Sequence, residues 1–262
     1  MRVSQPLILL AGLALAACNS DTTTPEAIGT TAEADVVIVE PKLSSATSSD
    51  ASVSVIHGIN GTDLGLSAAL PVDVSVNGAC ALPGFTFRTI TSPIALPAGS
   101  YNIVVRLPGA TPCTGTPVIT ANGVVLAGGT SYSIIAHLSA AGTPTASVFT
   151  NAVDAFPPSR VNVSARHTAA FGAVDIAVTG PAGRTSIPFA GVTNGLQGTA
   201  GILPTKYTVA IQPAGTGIDA ATLAVQPRPQ TFYAIYAVGT PSKGTFELLT
   251  QTLPAPVTRG GR

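Results

Sequence analysis

Val72-Asp73-Val74-Ser75-Val76-Asn77-Gly78 and, further on, Leu96-Pro97-Ala98-Gly99-Ser100-Tyr101-Asn102-Ile103-Val104-Val105 return as Val174-Asp175-Ile176-Ala177-Val178-Thr179-Gly180 and Leu203-Pro204-Thr205-Lys206-Tyr207-Thr208-Val209-Ala210-Ile211. Two copies about a hundred residues apart, each of ordinary domain size, predict two similar domains in tandem. Within each copy the Val positions alternate with polar ones, the period of a strand with one buried face. Asn77-Gly78 supplies a turn.

Aligning the copies tests this reading, because a one-residue slip exchanges the faces of a strand. Tyr101, Ile103 and Val105 fall on Tyr207, Val209 and Ile211, and Tyr132, Ile134 and Ala136 fall on Tyr233, Ile235 and Ala237. The inward parity is kept, while Asn102, Val104 and Arg106 pair with the dissimilar Thr208, Ala210 and Gln212. In the first copy, strands are expected at Ser52–His57, Val72–Val76, Phe85–Thr91, Ser92–Leu96, Tyr101–Arg106, Pro117–Leu126, Ser131–Leu138 and Ala146–Thr150. Gly and Pro clusters separate them. The fold class is therefore all-β: two tandem Ig-like or transthyretin-like antiparallel β-sandwiches, 51–153 and 159–252, with a tail at 253–262.

Composition agrees. Only 9% of the 262 residues are charged, and Gly, Pro and β-branched residues abound, a balance that favours strands and turns over surface helices. Formal net charge is zero, and the bases of the repeat region stand singly, so no nucleic-acid partner is expected.

The N-terminus carries an address. Arg2 precedes an apolar run from Leu7 to Ala17, too short for a permanent membrane span and of the length of a signal-peptide core. It ends in Leu15-Ala16-Ala17-Cys18, which resembles a bacterial lipobox. This reading makes 1–17 a lipoprotein signal peptide and Cys18 the acylated residue, anchored durably because each buried methylene contributes about 0.8 kcal/mol. Asn19 stands where the resemblance would place Asp for inner-membrane retention, which implies the outer membrane and leaves open which leaflet is faced. Half of the twelve acids lie before residue 51 in a Thr-, Ser- and Ala-rich stretch, so 18–50 is read as a disordered tether. Within it Val36–Val39 is either an edge strand of the first repeat or an isolated apolar patch.

The segments Ala51 to His57, Pro71 to Gly78, Leu96 to Tyr101 and Gly129 to Tyr132, with Arg166-His167, Ala173 to Gly180, Leu203-Pro204, Tyr207 and Thr231 to Tyr233 in the second copy, resemble the DUF4397 family. That resemblance implies an extracytoplasmic β-sandwich module, often repeated and lipid-anchored, with no established activity. The second copy departs from the pattern at Thr205-Lys206 and in a longer insertion between Phe189 and Leu203.

Chemistry-bearing residues are few. With Cys18 assigned to lipid, Cys80 and Cys113 remain, each a few residues beyond an expected strand; in an oxidising compartment they form a disulfide or else stay two separate thiols. His57 and His167 end the first strand of each copy and are expected to bond the loop that follows. His137 becomes Val238 in the second copy, an outer-face or interdomain position. Asp73 and Asp175, the shared acids, point away from the Val stripe and are expected to fix neighbouring loops. No metal-ligand spacing and no nucleophile motif occurs, so neither catalytic residues, metal nor cofactor are assigned. The expectation is a structural or binding module of the cell envelope, engaging a protein or polysaccharide partner. The alternatives are an envelope hydrolase assembled from loops and a glycan-binding module. The latter is weakened by the absence of Trp, with Tyr236 the one Tyr of outward parity.

Overall fold

The computed structural model describes residues 37–39, 49–153, 157 and 159–254. The signal peptide, Cys18, most of the tether, part of the join and the end of the tail lie outside them. The described chain is strands and loops with two short 3-10 turns, Gly61–Leu64 and Pro241–Lys243.

The first repeat contributes β1 (Val37–Val39), β2 (Asp50–His57), β3 (Val72–Val76), β4 (Ala79–Phe85), β5 (Thr89–Thr91), β6 (Ile94–Pro97), β7 (Gly99–Arg106), β8 (Pro117–Leu126), β9 (Ser131–Leu138) and β10 (Pro144–Thr150). The second contributes β11 (Val161–His167), β12 (Val174–Thr179), β13 (Thr185–Val192), β14 (Gln197–Ile202), β15 (Tyr207–Pro213), β16 (Ala221–Val225), β17 (Thr231–Val238) and β18 (Glu247–Pro254). They form four sheets. Sheet order β4-β3-β7-β8 recurs in the second repeat as β13-β12-β15-β16, and β2-β9-β10 recurs as β11-β17-β18.

The pairing is not wholly antiparallel as expected. β2 runs parallel to β9, from Ser52↔Ser131 to His57↔Ala136, and β11 runs parallel to β17 with the equivalent end pair His167↔Ala237. Alternation reports which face a residue takes and is blind to the direction of the neighbouring strand. The long excursion through the other sheet between β2 and β9 supplies the crossover that parallel partners need. Val37–Val39 adds to the edge of this sheet, parallel to β5.

Two boundaries also differ. The expected Phe85–Thr91 strand is two pieces: β4 reaches Phe85, and β5 starts at Thr89 after a reversal at Arg88, whose φ is 69°. The insertion between Phe189 and Leu203 carries a strand of its own, β14, which holds the Gly198–Gly201 stretch. A side chain at Gly198 would collide with the Phe189 ring 2.3 Å away, so glycine there lets β14 pass under that ring.

Each repeat encloses its own core. Val72, Val74, Phe85, Val105 and Leu138 pack in the first, with a companion cluster around Leu126 and Ile134. Val174, Ile176, Val209, Ile211 and Ile235 pack in the second. A further core lies between the repeats, where Ile56, Ile135 and Phe149 of the first meet Phe232, Tyr236, Leu249 and Leu253 of the second. The outward faces of the β2-β9-β10 and β11-β17-β18 sheets therefore cover each other. The result is a stack of four sheets whose two middle layers are buried on both faces, which explains why β17 reads Phe-Tyr-Ala-Ile-Tyr-Ala-Val without a polar break.

Candidate functional site

The candidate residues fall into two groups: loop ties inside each sandwich, and a polar ring between them. In both repeats the shared Asp performs the same task. Asp73 Oδ1 accepts from Gly84 N and Oδ2 from Cys113 N, each at 2.8 Å. Asp175 Oδ1 accepts from Gly191 N and Oδ2 from Gly215 N, also at 2.8 Å. All four donors have left-handed backbone: φ is 63° at Gly84, 62° at Cys113, 65° at Gly191 and 75° at Gly215. The carboxylate thus clamps a bulged edge strand, β4 or β13, to the loop that joins β7 to β8 or β15 to β16, with Cys113 taking the conformation that glycine takes in the second copy. The amides of Gly215 and Gly191 hold the Asp175 carboxyl below its usual range.

Cys80 and Cys113 are disulfide-bonded, with Cα atoms 5.6 Å apart. Cys80 is the second residue of β4 rather than a loop residue, because the turn at Asn77-Gly78 is so tight that the return strand starts at once. The bond and the Asp73 clamp hold the same loop from two sides. In the second copy Asp175 does this alone.

The histidines are buried. His57 Nε2 is 2.9 Å from Leu70 O, and its Nδ1 accepts from Ile59 N, so the ring staples the loop after β2. His167 Nε2 is 2.8 Å from Gly172 O, the matching bond in the second copy. His137 bonds Leu138 O and Ser147 Oγ near the border between repeats. Burial lowers the pKa of all three, that of His57 to about 4, the bond to Leu70 opposing. A lowered folded value means the unfolded chain binds protons first, so stability is full above about pH 6.5 and falls as pH drops toward the folded value. His57 alone is expected to remove roughly 2 kcal/mol between pH 7.5 and pH 5, measured as the loss of unfolding free energy in urea titrations. In His57→Gln that pH dependence should shrink.

Between the sandwiches lies a residue that sequence reasoning passed over. Arg166 is 1% exposed and has no carboxylate among its partners in the described residues. Its Nε donates to Gln197 Oε1 at 2.9 Å, Nη2 to Asn151 Oδ1 at 2.6 Å and Nη1 to the Tyr236 hydroxyl. Cζ stands 4.7 Å from the Phe149 ring centre, 5.0 Å from that of Tyr236 and 5.6 Å from that of Phe232. Three aromatic faces supply the negative potential that a counter-ion would otherwise supply. Tyr236 in turn donates to Gln251 Oε1 at 2.7 Å. Ser133 Oγ closes the ring, 2.8 Å from Gln251 Oε1 and 3.0 Å from Asn151 Oδ1, its single proton serving one acceptor at a time. Outward parity placed Tyr236 as an exposed ring, but it is 0% exposed because the partner sheet covers it. The signal for Arg166 was its position: an Arg beside His167 at the end of a strand otherwise made of small and apolar residues.

A rim of polar contacts surrounds this centre. Arg88 and Glu247 form a bidentate pair at 2.9 and 2.5 Å, and Thr245 Oγ1 donates to Asp63 Oδ1 at 2.6 Å. Among the described residues no three His, Cys, Asp or Glu side chains gather where they could hold a metal ion.

The family model for DUF4397, a domain of unknown function, matches residues 51–177, that is, the first sandwich and the chain as far as β12. No curated protein sequence matches. Among solved structures, the chain is similar to a candidate cell adhesion protein of Bacteroides uniformis, at 10% identity and a TM-score of 0.25, over 79% of this chain and 99% of the other. It is also similar to a candidate cell adhesion protein of Bacteroides ovatus, at 9% identity and a TM-score of 0.22, over 82% and 99%.

Proposed function

We propose that the chain is a lipid-anchored module of the bacterial cell envelope, built of two DUF4397-type domains, that holds a binding surface away from the membrane. The observation that carries this is Leu15-Ala16-Ala17-Cys18 at the end of an apolar run, followed by a tether and then by a four-layer body. Acylated Cys18 supplies the anchor, and the following residues let the body stand off by a distance on the order of 30 Å. The side chains with catalytic potential support a non-enzymatic reading through what they do. His57, His167, Asp73 and Asp175 hold loops, and Cys80 with Cys113 forms a bond. Asn19 favours the outer membrane as the site of anchoring.

Metabolic labelling with an alkyne-tagged fatty acid tests the proposal. The chain should take up label and partition with membranes, and Cys18→Ala should abolish both. A wild-type chain found soluble and unlabelled would overturn the anchor.

A further inference from the structure

The two sandwiches differ along one seam. In each repeat the last strand of the inner sheet runs beside the last strand of the outer one, β10 beside β8 and β18 beside β16. The pairing registers put Ala146, Val148 and Thr150 on the core-facing side of β10, and Leu248, Thr250 and Thr252 on that of β18. At the first seam Val124, Ile134, Ala146 and Val148 border a small apolar cavity of ≈ 50 Å³. At the second the sheets part into an open groove of ≈ 470 Å³, with Leu223 and Val225 beneath. Its walls are Thr231, Tyr233, Thr250 and Thr252 on one side and Lys206, Gln226 and Arg228 on the other.

Each difference runs the same way. Thr250 stands where the first repeat has Val148, a hydroxyl replacing a methyl on a face that otherwise builds core. Tyr132 of the first repeat accepts a bond from Ala127 N, whereas the equivalent Tyr233 hydroxyl has no hydrogen-bond partner among the described residues. Counting from the aligned tyrosines, Lys206 replaces Ser100 and Arg228 replaces Ala127. Both cations are exposed, and neither forms an ion pair among the described residues. Thr130, Tyr132 and Thr150 already match Thr231, Tyr233 and Thr252, so what the second seam adds is the Thr250 hydroxyl and two unneutralised cations, none of which a stable sandwich needs, since the first repeat has Val148, Ser100 and Ala127 at those places.

We propose that this groove binds an acidic polysaccharide, the carboxylate of a uronic acid residue meeting Lys206 and Arg228, and its hydroxyls meeting Thr231, Tyr233, Thr250 and Gln226. This deepens the envelope-module reading by naming its ligand. The volume lies within the range of about 300–1,000 Å³ typical of ligand sites and accepts a short run of sugar rings. The planar Arg fork matches a carboxylate, Lys adds a point charge, and the inward hydroxyls suit a ligand that is itself hydroxylated. An acidic peptide would satisfy the cations and leave the Tyr233 and Thr250 hydroxyls without partners, whereas Thr231 Oγ1 already donates to Arg228 O.

The test is calorimetric titration of the full chain, prepared without its lipid, with tetragalacturonate, maltotetraose and tetraglutamate. Tetragalacturonate should bind, maltotetraose should not, and tetraglutamate should bind at least about tenfold more weakly. Lys206→Gln combined with Arg228→Gln should lower uronate affinity about tenfold or more, and Thr250→Val, which restores the residue of the first seam, should lower it several-fold. Arg184→Gln, an exposed cation away from the groove, should leave it unchanged. Absence of uronate binding, equal binding of tetraglutamate, or full affinity in the Lys206/Arg228 double variant would each overturn the proposal. The Cys18 labelling experiment is independent of all these outcomes, so loss of the ligand assignment and loss of the anchor are distinguishable.

Discussion

Arg166→Ala is expected to lower the unfolding free energy by about 3 to 5 kcal/mol. The substitution empties the space between three aromatic rings and removes donors from Tyr236, Asn151 and Gln197. Buried acceptors left without donors carry their full desolvation cost. Because these partners come from both repeats, the loss falls on the contact between sandwiches. Urea unfolding should change from one transition to two, the second domain separating from the first. Arg166→Met keeps the apolar stem and abolishes the buried charge, so it should cost clearly less than Arg166→Ala. Arg166→Lys should recover little, since an ammonium cannot reproduce the three-way fork. By contrast Glu247→Gln, which breaks the Arg88 pair at the rim, should cost no more than about 1 kcal/mol, Arg88 being 40% exposed.

Removing the disulfide ranks second. Cys80→Ser with Cys113→Ser is expected to cost about 3 to 4 kcal/mol in the chain-entropy model for a sequence separation of 33. The Asp73 clamp modulates this number, because Asp73 Oδ2 accepts from the amide of Cys113 itself. With the disulfide intact, Asp73→Ala leaves the loop pinned at one end. Without it, the same substitution frees the loop from β3 altogether. A double-mutant cycle measured by urea denaturation should therefore show coupling of more than about 0.5 kcal/mol. Simple additivity would mean the two ties act on separate structures. Asp175→Ala in the second repeat has no disulfide behind it and serves as the single-tie reference.

Much of the fold was legible because its core follows strict alternation. The register that set Tyr101, Ile103 and Val105 against Tyr207, Val209 and Ile211 carries residues that line the two cores. Strands β8 and β9 match their expected limits residue for residue. Alternation fails where it has no physical content. It cannot report that β2 and β9 run parallel, and it cannot separate an outward face that meets solvent from one that meets a second sheet. That second failure hid Arg166 and misplaced Tyr236. A reading that weighed the unbroken apolar run of β17 as a strand buried on both faces would have found the covered surface. Within the candidate site, the doubled residues were the readable part. Asp73 with Asp175, and His57 with His167, sit in equivalent places and make equivalent bonds. The groove between β16 and β18 was not readable in this way, because it exists through differences between the copies. Such differences become interpretable only once pairing shows that Thr250, the counterpart of Val148, faces inward.

Scanning calorimetry of the full chain tests the central structural claim most directly, that two sandwiches are fused by their outward faces into one four-layer body through the Arg166 ring. At pH 7.5 the account predicts a single endotherm whose calorimetric and van't Hoff enthalpies agree, separating into two in Arg166→Ala. Two resolved endotherms in the wild-type chain, unaltered by Arg166→Ala, would contradict it.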